Sequence, residues 1–310
     1  MGNWLFLPPQ GSTVAAEVDA LYLVLVAISA FFAVLIAVLV IFLGVRYRRQ
    51  SDDQVGVHIH GSTPLEILWS AVPLAIMLAS FVWGAMVFFK LSRPPAHAVE
   101  YFAVGKQWMW KFQHPDGTRE INILHVPVGQ AIKVTMTSED VIHDLFVPGF
   151  RVKMDVLPGR YTTVWFEAKR AGKYHLFCAE YCGAEHSRMG GWIIVQEPHD
   201  YERWLAGERG TDNRLAGPED LYKRYACESC HRFDSTARAP QLAGLFGREV
   251  RLKDGQTVTA DENYILESIL QPNEKVVSGY QPIMPTFQGQ MSQEEAHSLV
   301  RYIRGLEAGK

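Results

Sequence analysis

Cys178-Ala-Glu-Tyr-Cys182-Gly-Ala-Glu-His186-Ser-Arg-Met189 puts two thiols, an imidazole and a thioether within twelve residues. Soft sulfur together with imidazole favours copper, in the ligand class used for electron transfer. A mononuclear blue-copper site needs one cysteine. The second, four residues on, lets both sulfurs bridge two copper ions, so one electron is shared across the pair with little change of geometry. His143, in Ser138-Glu-Asp-Val-Ile-His143, follows a strand pattern and offers a second imidazole. A disulfide between Cys178 and Cys182 would leave the nearby His and Met unexplained, and structural zinc does not call for Met.

The sequence around this run alternates. Ile132, Val134 and Met136 interleave with Lys133, Thr135 and Thr137, the period of a half-buried strand. Tyr161–Glu167 and Gly191–Gln196 are further strand candidates, and Pro-Gly turns fall at 148–149 and 158–159. Many short strands with turn signals predict a β-sandwich or barrel across 92–198. Trp108 and Trp110 alternate in Gly105-Lys-Gln-Trp108-Met-Trp110, so one of them is expected in the core.

The other two of the four cysteines stand in Cys227-Glu-Ser-Cys230-His231, the C-x-x-C-H attachment motif for c-type haem. Two thioethers tether the group and the adjacent His231 binds iron from one side. Met284, in Gln281-Pro-Ile-Met284-Pro-Thr-Phe287, is the favoured ligand for the other side, with Met291 and His297 as alternatives. Met/His ligation raises the potential, which suits an electron carrier. Helical patterns at Asp220–Ala226, Asp261–Leu270 and Ser292 to about Leu306 surround the motif. Ser292 and Glu295 form a capping-box pattern. Polar, glycine-containing residues 199–217 read as a linker before a domain at 218–310.

At the other end, Ala20–Val45 and Ile67–Phe89 run 26 and 23 residues without a charge. The first is roughly 39 Å long as a helix, ample for a hydrocarbon core of about 30 Å. Residues 20–91 therefore predict a transmembrane hairpin, with Pro73 tolerated inside its second helix. Residues 1–19 lack Lys and Arg, whereas Arg46, Arg48 and Arg49 follow the first helix. By the positive-inside rule the loop is cytoplasmic, and both the 1–19 tail and everything beyond Lys90 are outside. The tail has no charged n-region or cleavage pattern of a signal peptide. His58 and His60 lie in the loop without Cys or acidic companions and read as solvated. A net charge of −3 gives no reason to expect a nucleic-acid partner.

Over residues 18–205 the chain resembles the subunit II family of cytochrome c oxidases, and 217–308 resembles a class I cytochrome c. The combination is that of a bacterial caa3-type oxidase. The resemblance implies a multidomain membrane protein with a cupredoxin-like Greek-key barrel and an all-α cytochrome domain. It implies that Cys178 and Cys182 bridge a binuclear CuA centre and that His143 and His186 ligate one copper each. Met189 and the Glu180 carbonyl would complete the shells, and the Glu180 side chain would reach a magnesium shared with subunit I. Ala239-Pro240-Gln-Leu-Ala-Gly-Leu-Phe-Gly-Arg248 matches the stretch where a proline carbonyl, here that of Pro240, accepts the proximal imidazole N–H.

Glu66, in Glu66-Ile-Leu-Trp69-Ser-Ala-Val-Pro73, would stand at the mouth of the K proton pathway, although a first-turn carboxylate also complements a helix dipole. In that family Trp108 would be the exposed ring that admits electrons from a soluble donor. Here, however, Met109, Lys111 and Phe112 stand where tyrosines and acidic residues are common. Donors are therefore expected to reduce the tethered haem first, with Trp108 serving at most the hop to copper. The implied partners are subunit I with haem a and haem a3–CuB, subunit III, an external electron donor and membrane lipid, on the periplasmic side of the inner membrane. Two other readings share the motifs: a nitric oxide reductase with a CuA subunit, and a free-standing membrane-tethered carrier.

Overall fold

The computed structural model describes residues 7–58, 60–206, 217–232 and 237–306. Two long apolar helices open the chain, α1 (Ala15–Arg46) and α2 (Thr63–Ser92). Both pass the length and hydropathy of a membrane span. Each is longer than its uncharged run. Helix α1 begins in Glu17 and Asp19, carboxylates that suit a helix N-terminus, and α2 runs on through Lys90 at its C-terminus. Lys90 and Glu17 form an ion pair that joins these two ends of the antiparallel hairpin.

The second unit is described separately. Its first part is a β-sandwich. One sheet has the order β3-β2-β1-β5-β8 and the other β4-β10-β9-β6-β7. The strands are β1 Val99–Lys106, β2 Met109–Gln113, β3 Arg119–Ile121, β4 Ile123–Pro127, β5 Ala131–Ser138, β6 His143–Val147, β7 Val152–Val156, β8 Thr162–Glu167, β9 Gly172–Cys178 and β10 Gly190–Gln196. The alternating stretch forms β5, which buries Ile132, Val134 and Met136 as its period requires. Trp110, Tyr101, Phe112, Phe150 and Phe166 fill the space between the sheets. Residues 7–12 of the N-terminal tail lie along this domain. Ser12 bridges Ala168 and its hydroxyl donates to the Phe150 carbonyl at 2.8 Å.

The linker expectation needs correction. Pro198–Leu205 is helix α3, started by Pro198 at its first position, while 207–216 lie outside the described residues. Tyr201 and Trp204 turn a short, charged sequence into a docking element. Trp204 stacks on His125 with ring centroids 4.3 Å apart, and Tyr201 bonds Tyr101 at 2.8 Å. Beneath them the Glu120 carboxylate accepts from His114 at 2.8 Å and from His125 at 2.7 Å.

The last part is helical: α4 (Pro218–Arg224), a 3-10 turn at Cys227–Ser229, a small hairpin of β11 (Glu249–Arg251) and β12 (Thr257–Thr259), α5 (Glu262–Leu270) and α6 (Gln293–Gly305). Ser292 and Glu295 make the expected capping box, with bonds of 3.2 and 2.8 Å. Helix α6 buries Ala296, Leu299, Val300 and Ile303, one stripe at helical spacing.

Candidate functional site: a copper loop and a haem cleft

Residues 179–189 are the connection between β9 and β10, and the ladder holds both of its ends. Cys178 N–H donates to the Met189 carbonyl at 3.0 Å, and Gly190 pairs Phe177. On the other flank Cys178 pairs Leu145 of β6, which brings His143, 35 residues upstream, beside it. The result is a tight set of donors. Cys178 Sγ lies 3.7 Å from Cys182 Sγ, 4.0 Å from His143 Nδ1 and 3.3 Å from the Glu180 carbonyl oxygen. Cys182 Sγ lies 3.5 Å from His186 Nδ1 and 3.7 Å from Met189 Sδ. All six residues expected from the sequence converge. The Glu180 side chain is exposed.

The electrostatics prepare these groups for metal. His143 is fully buried, and its Nε2 donates to Asp140 at 2.8 Å, so Nδ1 is left facing sulfur. Burial pushes Asp140 up, but the bond from His143 and those from the Gln107 and Val141 N–H groups outweigh it and hold the carboxyl at about 2. The Cys178 thiol is held well below its ordinary range, chiefly by the Cys182 thiol beside it, while Cys182 is pushed up by the same contact. One thiolate thus forms ahead of the other. Asp140 went unread in the sequence, yet its signal was there: an acidic residue three before a histidine across a turn.

The haem motif presents a different picture. Cys227, Cys230 and His231 open onto an apolar cleft lined also by Pro240, Met284, Met291, Ile265 and Leu299. His231 Nδ1 donates to the Pro240 carbonyl at 2.6 Å, which turns Nε2 to the cleft. A flat, apolar macrocycle with thioether anchors and an axial imidazole fits this donor set. Met284 and Met291 both line the cleft; His297 is exposed and does not.

Trp108 is covered rather than exposed. It sits in the turn between β1 and β2, not on the strand, and is 6% exposed; Trp110 is buried as well. Its indole N–H donates to the Cys182 carbonyl at 3.2 Å, and its ring lies under Arg238 of the helical domain at 5.2 Å. The ring that would meet a soluble donor is covered by this chain's own cytochrome-like domain. Glu66 does lie in the first turn of α2, and His58 and His60 are exposed.

Comparison with known proteins now decides the family. The transmembrane domain of cytochrome c oxidase subunit II matches residues 3–84, its periplasmic domain 119–197, and cytochrome c 219–307. The chain belongs to the cytochrome c oxidase subunit II family, with a cytochrome c domain fused behind it. It is 27% identical to cytochrome c oxidase subunit 2 of Alkalihalophilus pseudofirmus over 98% of this chain and 91% of that protein. It is 34% identical to an alternative cytochrome c oxidase subunit 2 of Bradyrhizobium diazoefficiens, over 45% and 61% of the two chains. Among solved structures, the periplasmic domain of subunit II of cytochrome oxidase from Bradyrhizobium japonicum matches 40% of this chain and all of its own, at 30% identity and a TM-score of 0.36. A cytochrome c oxidase subunit II serves a haem–copper oxidase, in partnership with subunit I, as the part that receives electrons. Copper and haem c are the groups its two soluble domains imply, and those domains lie outside the membrane.

Proposed function

We propose that this chain is the electron-receiving subunit of a caa3-type oxidase in a bacterial inner membrane, delivering electrons to haem a of subunit I for proton-coupled reduction of O2 to water. The bound groups, a covalent haem c and a binuclear CuA, supply one-electron storage in series. The chain's own residues do the rest. Cys227 and Cys230 would tether the haem, His231 and Met284 would ligate its iron, and Pro240 fixes the imidazole. Cys178, Cys182, His143, His186, Met189 and the Glu180 carbonyl would hold the copper pair, and the Glu180 side chain would reach magnesium at subunit I. Glu66 collects protons at the cytoplasmic face. Subunit III and lipid complete the surroundings.

The observation that carries this reading is the convergence of both sulfurs and both imidazoles within 4.0 Å contacts at one loop. The covering of Trp108 by Arg238 supports arrival of external electrons at the cytochrome domain. Elemental and haem analysis of the purified protein is expected to give two coppers and one covalent haem per chain. One copper, or zinc, sinks the CuA assignment. Truncating the chain after Glu208 is expected to keep copper and abolish most oxidation of the native donor; an undiminished rate would put electron entry directly at the copper centre. Retention of haem A with the purified chain separates an oxidase from a nitric oxide reductase or a free carrier.

A further inference from the structure

Two arginines of the cytochrome domain reach across to the copper loop. Arg232 directly follows His231, and its guanidinium pairs with the Glu185 carboxylate. Glu185 directly precedes His186, is 5% exposed, and is also bonded by Arg188 at 3.2 Å. Arg238 stands two residues before Pro240, whose carbonyl pins His231. Arg238 Nη1 donates to Gln107 Oε1 at 2.9 Å while its guanidinium covers Trp108.

Gln107 uses every polar group that these contacts need. Its backbone N–H donates to Asp140 at 2.8 Å, the carboxylate that orients His143. Its Nε2 donates to the Cys182 carbonyl at 2.8 Å. From Arg238 a chain of hydrogen bonds thus runs to a residue holding one copper-loop thiol and to the carboxylate holding one imidazole. Apolar packing joins the same seam. Met109, next to Trp108, lines the haem cleft and is 3% exposed within the cytochrome domain's core.

We infer that Arg232 and Arg238 form a two-point clamp that holds the haem-binding loop in register with the copper loop, with Gln107 as the link. This rests on the reading of the two loops as haem and copper sites. A tether raises effective concentration but specifies no orientation. Electron tunnelling falls steeply with separation, so a productive seat needs directional contacts. Arginine suits that role, because its planar fork donates in fixed directions and stacks on an indole, which lysine does not reproduce. Arg232 is anchored beside a ligand on both sides, His231 and His186, while Arg238 stands two residues from Pro240, which pins His231, and reaches Cys182 through Gln107. Slippage at the clamp would therefore shift the haem-binding loop relative to the copper loop while leaving each ligand set intact. These arginines are positioning residues.

The test uses the full-length chain in the intact oxidase, with Arg238→Lys, Arg238→Ala, and Arg232→Ala combined with Arg238→Ala. Hydrogen–deuterium exchange at residues 107–109 and 183–186 reads the seat without any bound group. Flash-induced transfer from reduced haem to copper reads its consequence. Loss of charge-assisted bonds at a partly buried seam is expected to speed exchange and slow transfer by about tenfold or more in the double variant. Transfer should also become sensitive to solvent viscosity, as a domain that must search for its seat would be, while both optical spectra and both potentials stay put. Arg238→Lys is expected to fall between. If Arg232→Ala, adjacent to the attachment motif, fails to load haem, the Arg238 variants carry the test. Exchange and transfer within twofold of the unsubstituted chain in Arg238→Ala overturn the clamp. A native chain lacking haem or the copper pair overturns the underlying reading, and the exchange data still decide the clamp.

Discussion

At the copper loop the donor atoms stand 3.3–4.0 Å apart, each braced by backbone or side-chain bonds behind it, whereas at the haem motif one hydrogen bond of 2.6 Å is joined by a wall of apolar side chains facing a cleft. The first arrangement is imposed from behind. Ladder bonds fix Cys178 and Met189, Asp140 fixes His143, and the fully buried Trp110 stands edge-on to that ring at 6.0 Å. The second is completed from within. Ile265, Leu299, Met291 and Leu242 belong to the same core cluster and to the cleft wall, so a bound macrocycle is part of that core. A metal seated on a finished scaffold adds affinity. A group that fills a core adds stability to the fold itself.

The largest effect expected from this contrast is on domain stability. Cys227→Ser with Cys230→Ser, which removes both thioether anchors, should cost the helical domain its cooperative unfolding, on the order of 5 kcal/mol or more. Chelating the copper should leave the sandwich folded with a modestly lower midpoint. Scanning calorimetry of each form resolves the two transitions. Equal collapse of both domains on loss of their groups would erase the contrast.

The same contrast explains what the sequence revealed. Ligand chemistry is local in composition, so Cys178–Met189 and Cys227–His231 announced themselves, as did the membrane hairpin and strands β5, β8 and β10. Apolar period then told strand from helix. What stayed hidden is long-range pairing. Nothing near Pro198 says that Tyr201 and Trp204 will find Tyr101 and His125 across the sheet, so a docked helix looked like linker. Trp108 seemed exposed for a related reason: its cover, Arg238, lies 130 residues away in another domain. Gln107 and Glu185, polar residues with no ligand character, carry contacts that only the assembled seam defines.

Acid should expose the latch beneath α3. Burial pushes Glu120 up, but the bonds from His114 and His125 outweigh it and hold the carboxyl at about 2, against an ordinary 4.5. A depressed folded value stabilises the fold above the unfolded value and is lost as pH falls from about 4.5 towards 2. That difference is worth about 3 kcal/mol. Glu120→Gln is expected to lose this amount at pH 7 and to flatten the acid limb of the sandwich transition. Exchange at residues 198–205 should quicken first, while the haem domain's midpoint follows its own course. An acid limb identical in the variant would remove Glu120 from the sandwich's stability.

Gly105→Ala is the smallest change and the sharpest probe of the prebuilt site. A Cβ on Gly105 would stand 2.8 Å from His143 Cδ2, 3.2 Å from its Cγ and 3.4 Å from Trp110. None of these can yield easily: Asp140 holds the ring's far nitrogen, and Trp110 has no solvent-exposed surface into which to swing. Overpacking of this kind costs about 1–2 kcal/mol. The more telling outcome is spectroscopic. If the sheet sets the imidazole, a methyl packed against the ring carbons of His143 should shift the nitrogen hyperfine coupling and the copper potential, leaving the haem band unchanged. If the metal instead draws His143 into place from a pliant loop, the copper spectrum will match that of the unsubstituted chain and only the stability will fall. Electron paramagnetic resonance of the copper-loaded variant distinguishes the two, because it reports on the ligand ring rather than on the fold around it.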